Sequence, residues 1–191
     1  MPRAGLDPAA VVAAGAALAD EVGFAGLTMG MLAERVGVRP PSLYKHISCQ
    51  DELHRRIAAL AVAEAAEAVG TATRGRAGRD ALFAAAHAFR DYVRAHPGRY
   101  AATIGFDPRG PDDPMAAASN DLMASLTAVL RAYPVRPDDT VHALRALRSI
   151  FHGFATLEAA GGFQWETDLD ESFEWLLALL DRGLHPADPN P

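Results

Sequence analysis

The sequence predicts an all-α protein of about nine helices, and three observations carry the prediction. Apolar residues recur at three- and four-residue spacing along nearly the whole chain. No segment alternates apolar and polar residues with the period of two expected of a half-buried strand. The periodic runs are punctuated by Thr, Ser, Asp or Pro before them and Gly after them, the usual helix-starting and helix-stopping residues.

The elements follow in order. Val11, Ala14, Leu18 and Val22 place a first helix that ends at Gly23. Thr28 is an N-cap for a second, with Met29, Leu32, Ala33 and Val36 on one face and Gly37 after it. The octamer PPSLYKHI, residues 40–47, starts a third: proline is tolerated in a first helical turn, and Leu43 and Ile47, four apart, point inward. Ser48 and Asp51, three apart, read as a capping box for a fourth helix carrying Leu53, Ile57, Leu60 and Ala61 and running to about Val69. Residues 70–78, GTATRGRAG, read as a linker.

Leu82, Phe83, Ala86, Phe89 and Val93 place a fifth helix, which stops before Pro97, and a short sixth follows in GRYAATIGF. Residues 107–114, DPRGPDDP, can only be a loop. Leu122, Leu126 and Val129 mark a seventh helix. An eighth opens at Pro137, with Asp138 and Asp139 in its first turn where the helix dipole favours acids. It continues through Val141, Leu144, Leu147, Phe151 and Phe154 to Gly161 and Gly162. Thr167 and Asp170 read as a second capping box, opening a ninth helix with Phe173, Leu176, Leu177 and Leu180 that ends at Gly183.

Bulk properties exclude several classes. Half of the 191 residues are hydrophobic, enough for a sizeable core. The net charge of −6 rules out a generally basic coat but not a local basic patch. Cys49 is the one cysteine, so neither a disulfide framework nor a Cys-rich metal site is expected, which fits a reducing cytoplasm. The apolar start is Ala-rich and interrupted by Asp7, Pro8 and Asp20, so it reads as a helix rather than a signal peptide. No run of about 20 apolar residues is present to span a bilayer, and no membrane partner is expected. There is no HExxH or paired-carboxylate arrangement among the seven histidines and the acids, so neither metal nor cofactor is expected.

Function is concentrated in the second and third helices. Two short helices around a glycine-containing turn, the second exposing polar groups, form a helix-turn-helix. The chain's one lysine, Lys45, lies in that second helix, while every other basic residue of the Lys/Arg class is arginine. Arg39 and Lys45 attract phosphate, Ser42 and Tyr44 hydrogen-bond phosphates or base edges, and His46 does either. Pro40 and Pro41 fix the helix start, and the amides near Gln50 offer an anion site for a phosphate.

The stretch LTMGMLAERVGVRPPSLYKHISCQDEL resembles the DNA-binding domain of TetR-family transcriptional regulators. The resemblance implies a phosphate contact at Thr28 and recognition contacts at Arg39, Pro40, Pro41, Ser42, Tyr44, Lys45 and His46. Gln50 stands where the family often has a basic residue. A second stretch, LRSIFHGFATLEAAGGF, resembles the subgroup named for a Trp-His-Gly motif, with Phe151 in place of the tryptophan and His152 and Gly153 matching. The family implies a homodimer that represses a promoter from a palindromic double-stranded DNA operator and leaves it when a small molecule binds. An activator or corepressor-dependent regulator of the same family is the alternative. A small helical enzyme using His87 or His152 as a base is the reading from another class.

The expected organisation is a helix-turn-helix domain over residues 1–47, a connecting helix over 48–70, a ligand-binding and dimerising body over 76–185, and a disordered tail over 186–191. Over residues 1–50, Arg3, Arg35, Arg39 and Lys45 cancel Asp7, Asp20, Glu21 and Glu34, so the head is neutral and binds tightly only as a pair. Arg3 alone is basic in the N-terminal arm. The body mixes aromatics and methionine with few inward polar groups, which favours a small apolar effector. Phe83, Tyr92, Tyr100, Met123, Phe151 and Trp175 line either the core or such a cavity. His87 and His152 are either satisfied core histidines or the polar groups that orient the guest. The eighth and ninth helices are expected to pair with a second chain, with Leu177 in the seam.

Overall fold

In the computed structural model of the protein, which describes residues 7–185, helix α1 spans Pro8–Val22. Pro8 occupies its first turn and the Asp7 carboxylate accepts from the Ala10 amide at 2.7 Å, so both start signals act together. A 3-10 turn at Phe24–Gly26 leads to α2, Met29–Arg35, and α3, Pro40–Leu43. There follow α4 (Gln50–Thr73), α5 (Gly78–Ala95), α6 (Pro97–Ala101), α7 (Pro114–Leu130), α8 (Thr140–Ala159) and α9 (Leu169–Gly183). The described residues contain no strand. Arg3 and the tail at 186–191 lie outside the described residues.

Several boundaries differ from the sequence reading, each for a local reason. Helix α4 continues past Val69 to Thr73, whose hydroxyl donates back to the Val69 carbonyl at 2.9 Å; the linker shrinks to residues 74–77. At the start of α4 the capping carboxylate is Glu52, not Asp51, and the box is one-sided: Glu52 accepts from both the amide and the hydroxyl of Ser48. Asp168, not Thr167, caps α9, accepting from the Asp170 and Glu171 amides at 2.7 and 3.0 Å. Pro137–Asp139 forms a separate 3-10 turn ahead of α8.

The chain divides into two compact units. The first holds residues up to Val62 together with His96–Ala117. The expected boundary at residue 76 assigned residues 96–117 to the body, whereas by packing they belong with the head. Its core joins Val11, Ala16 and Leu18 of α1 to Leu32, Leu43, Ile47, Leu53 and Ile57, with Ala102 and Met115 from the later segment. Helix α6 presses on α1 so closely that a Cβ on Gly98 would lie 1.8 Å from the Ala19 carbonyl oxygen. Asp20 locks the contact by accepting from the amide and the Nε of Arg99, both at 2.8 Å.

In the second unit, Ala63–Ala95 and Ala118–Pro191, α5 packs on α8 and α9. Leu82, Ala86, Phe89 and Val93 of α5 meet a core that includes Leu147, Phe151, Phe154, Phe173 and Leu177. Two charged residues are buried with them, Arg90 and Asp181. Tyr133 donates to Asp181 at 2.7 Å and Arg79 donates to the other carboxylate oxygen at 3.1 Å. Burial, and then the Asp181 carboxylate, push the Tyr133 phenol well above its ordinary range.

Candidate nucleic-acid interface

The geometry of the helix-turn-helix follows from a few residues. Gly37, at φ 70°, adopts the left-handed conformation that ends α2. The Gly37 amide donates to the Glu34 carbonyl and the Val38 amide to the Ala33 carbonyl, the paired bonds of a Schellman cap. Arg39 is then extended, and Pro40 and Pro41 set the next helix going. That helix is one regular turn, continued by turn bonds from His46 and Ile47 to the Leu43 carbonyl. Leu43 and Ile47 are fully buried and hold it down. The groups around them are left to solvent: Arg39, Pro40, Pro41, Tyr44 and Lys45 are exposed, Ser42 and His46 half-buried. Tyr44 is 51% exposed, a large aromatic in water on an otherwise well-packed head.

Thr28 is the N-cap of α2, its hydroxyl accepting from the Met31 amide at 3.2 Å, and the residue itself is exposed. Arg35 and Glu21 form a two-pronged pair that clasps α2 to α1; it holds the Glu21 carboxyl below its ordinary range. Gln50 donates its side-chain amide to the Leu27 carbonyl at 3.0 Å, which ties the start of α4 to the residue before Thr28. Residue 50 thus ties two segments together through a neutral group, at the position where the family resemblance implies a basic one. His54 lies over Phe24 with ring centroids 4.5 Å apart, and burial holds its imidazole below the ordinary range.

Sequence reasoning missed what comes from the segment after α6. Arg109 donates to Asp51 at 3.2 Å, and Arg55 donates to the Asp107 carbonyl while stacking on Phe106. Those partners are more than fifty residues apart in the chain, so local pattern carries no trace of them.

The eight residues singled out in the body do not converge on one site. Phe83 and His87 share a groove along α5 with Ala72, Arg76, Arg79 and Ala84. His87 is bonded to Glu174 at 2.6 Å and meets the edge of Phe173. Tyr92 is buried and donates to Glu64 at 2.9 Å. Phe151 is buried against Phe89. His152 and Met123 are half-buried, and burial, then Arg148, lower the His152 pKa. Tyr100 is buried and belongs to the first unit, not to the body. Trp175 is 64% exposed on the outer side of α9. Leu177, by contrast, has no exposure within a single chain, so it is a core residue and not part of an open seam. The feature that sequence reading passed over is Arg90, which sits four residues after Ala86 on the inward stripe of α5; a charge at that register is the signal.

Comparison with known proteins agrees with this architecture. Residues 11–53 match a family model described as bacterial regulatory proteins of the tetR family. Residues 82–180 match one described as a tetracyclin repressor-like C-terminal domain, which gives no support to the Trp-His-Gly subgroup. YobS, an uncharacterized HTH-type transcriptional regulator of Bacillus subtilis, is 30% identical over 96% of this chain and 95% of its own. A variant of TetR from Acinetobacter baumannii AYE, solved in complex with minocycline, is 29% identical, with a TM-score of 0.71 over 94% of this chain and 96% of that one. BioQ, solved with its natural double-stranded DNA operator, is 25% identical, with a TM-score of 0.68 over 96% of this chain and 100% of that one. With head and body both matched and a relative aligned along almost its whole length, the chain belongs to the TetR family of helix-turn-helix transcriptional regulators.

Proposed function

We propose that this transcriptional regulator is a cytoplasmic repressor that binds a palindromic DNA operator as a homodimer and leaves it when a small apolar molecule enters the second unit. The observation that carries the DNA reading is the recognition element itself. It is anchored by two fully buried residues, Leu43 and Ile47, and leaves a cation and a phenol exposed to water, with a hydroxyl and an imidazole half-buried beside them. Arg39 and Lys45 serve phosphates and guanine edges, Ser42, Tyr44 and His46 serve base edges or phosphates, and Pro40 and Pro41 make apolar contact with the groove. Thr28 contributes to a phosphate contact from the cap of α2.

The dimer requirement follows from charge and geometry. A neutral head gives little non-specific attraction, so affinity depends on two heads reaching successive major grooves, about 34–36 Å apart. An effector that binds better to a form with another head spacing shifts the population off the operator. The apolar nature of the effector is inferred from the composition of the second unit, whose inward positions are aromatic and aliphatic with few polar groups to bind a polar guest. Fluorescence anisotropy with DNA from upstream of the protein's own gene tests the reading. Saturable binding that scrambled DNA of equal length does not reproduce is expected. Equal affinity for both DNAs at physiological salt refutes it.

A further inference from the structure

The arginine-rich turn between α4 and α5 has no part in the DNA reading, and it borders a groove. Residues 71–80, TATRGRAGRD, carry Arg74, Arg76 and Arg79 against a single acid, Asp80, in a chain whose net charge is −6. Helix α4 ends at Thr73 and α5 begins at Gly78. The turn lays Ala72 and Arg76 beside the face of α5 that holds Phe83, Ala84, His87 and Ala88. The groove between them measures about 480 Å³, a size that suits a small molecule. All of it belongs to the second unit.

Helical spacing explains its floor. Phe83, Ala84, His87 and Ala88 lie on the side of α5 away from the buried Leu82, Ala86, Phe89 and Val93, and all four are half-buried. The two ends differ in charge. At the turn, the Arg79 guanidinium lies over the Phe83 ring at 4.2 Å and donates to the buried Asp181 carboxylate at 3.1 Å. Its side chain is still 56% exposed, so one guanidinium serves both the groove and α9. Arg76 is exposed, and among the described residues its side chain makes no hydrogen bond or ion pair. The acids at this end are Asp80, which is exposed, and the Asp181 that Arg79 already holds, so arginine remains in excess. The far end is acidic, with Asp91 exposed and Glu174 bonded to His87 at 2.6 Å.

A groove that is cationic at one end, apolar along its floor and acidic at the other selects the sign and the direction of what lies in it. We infer that it is a binding site for an organic acid with an apolar body, the carboxylate held by Arg76 and Arg79 and the body laid on Phe83, Ala84 and Ala88. The planar guanidinium matches a carboxylate and forms charge-assisted hydrogen bonds with it. The site goes beyond the operator reading, and its occupant differs from a wholly apolar effector in needing a charged end. Arg79 is shared, so a carboxylate in the groove competes with Asp181 for it, while Tyr133 keeps its own bond to Asp181 at 2.7 Å. Occupancy is thereby felt at the end of α9.

Calorimetric titration of the full chain without DNA tests the site, using naphthoate, a fused two-ring carboxylate, and its uncharged amide. Saturable binding of naphthoate is expected, with the amide weaker by about tenfold. Arg76→Gln is expected to weaken naphthoate by about tenfold. Arg74→Gln, at a residue that does not line the groove, is expected to leave it unaltered. Asp181→Asn frees Arg79 while keeping an acceptor for Tyr133, and is expected to tighten naphthoate by roughly threefold at unchanged helix content. Arg74 and Arg76 are both exposed, so that pair of variants decides the matter whether or not the buried substitution folds. No saturable binding of naphthoate, or equal affinity for the amide, overturns the site. Equal losses in the Arg74 and Arg76 variants overturn it too, because the attraction is then general surface charge. An unaltered constant in a folded Asp181→Asn chain removes Arg79 from the site. Operator binding, followed separately by anisotropy, stands or falls independently of each of these results.

Discussion

Replacing Lys45 by alanine is the most direct probe of the recognition element. The side chain is exposed, and among the described residues it makes no hydrogen bond or ion pair, so its removal leaves the head's packing intact. Helix content and melting temperature are therefore expected to match the wild type. If each Lys45 neutralises one phosphate, a dimer loses two contacts. The slope of log affinity against log salt is about −0.9 per phosphate, so it flattens by about 1.8. Over a fourfold rise in salt, 50 to 200 mM, the wild type then loses about twelvefold more affinity than the variant. Anisotropy titrations at four salt concentrations measure this. The loss at low salt should be similar on operator and unrelated DNA, because phosphate contacts carry no sequence information. An unchanged slope, or a loss confined to the operator, refutes the phosphate assignment; the second result makes Lys45 a base reader.

Other perturbations address the rest of the molecule. Gly98→Ala puts a carbon where the Ala19 carbonyl already stands, so α6 must part from α1; a loss of several kcal/mol in urea unfolding is expected, and a neutral result contradicts the contact. His54 and His152 are both held below the ordinary imidazole range, chiefly by burial. The unfolded chain therefore takes up protons more readily, and stability is full above about pH 6.5 and declines as pH falls below it. Gln at both positions should flatten the melting temperature between pH 7 and pH 5. Phe151→Trp overfills a buried site packed on Phe89, costing about 1–3 kcal/mol. It should weaken release by the effector while operator binding of the free protein persists. A variant that loses DNA binding yet responds normally to effector places the cavity elsewhere.

Local physics explains what could be read from the sequence. Thr28 and Gly37 act by bonds to residues within a few positions, and each does in the structure what its chemistry implies. The recognition element was legible for the same reason: Leu43 and Ile47 are four apart, so burying them forces Tyr44 and Lys45 outward. Helix α6 was legible as a helix but not as part of the head, because its fastening, Asp20 to Arg99, joins residues seventy-nine positions apart. The misplaced residues in the body share one cause. An aromatic at helical spacing states that a face is apolar but not what covers it. Tyr100, Phe151 and Trp175 therefore read alike, yet the first is buried in a segment of the head unit, the second lies in the body core and the third faces solvent.

The neutral head makes operator binding a problem of assembly. Across residues 1–50 four basic and four acidic side chains cancel, so one head alone is held to DNA by a handful of local contacts and not by a broad positive field. Two heads on one rigid pair multiply their affinities through effective concentration, and that gain vanishes when the pair dissociates. Any residue that holds the two chains together therefore governs DNA binding without touching DNA. Diluted below its dimer dissociation constant, the protein should lose operator affinity in step with the loss of dimer, while a crosslinked dimer should keep it. The salt slope of the crosslinked protein should match that of the uncrosslinked dimer, because every phosphate contact is still present. A flattened slope would mean that crosslinking itself removes phosphate contacts, and that affinity is not a matter of assembly alone.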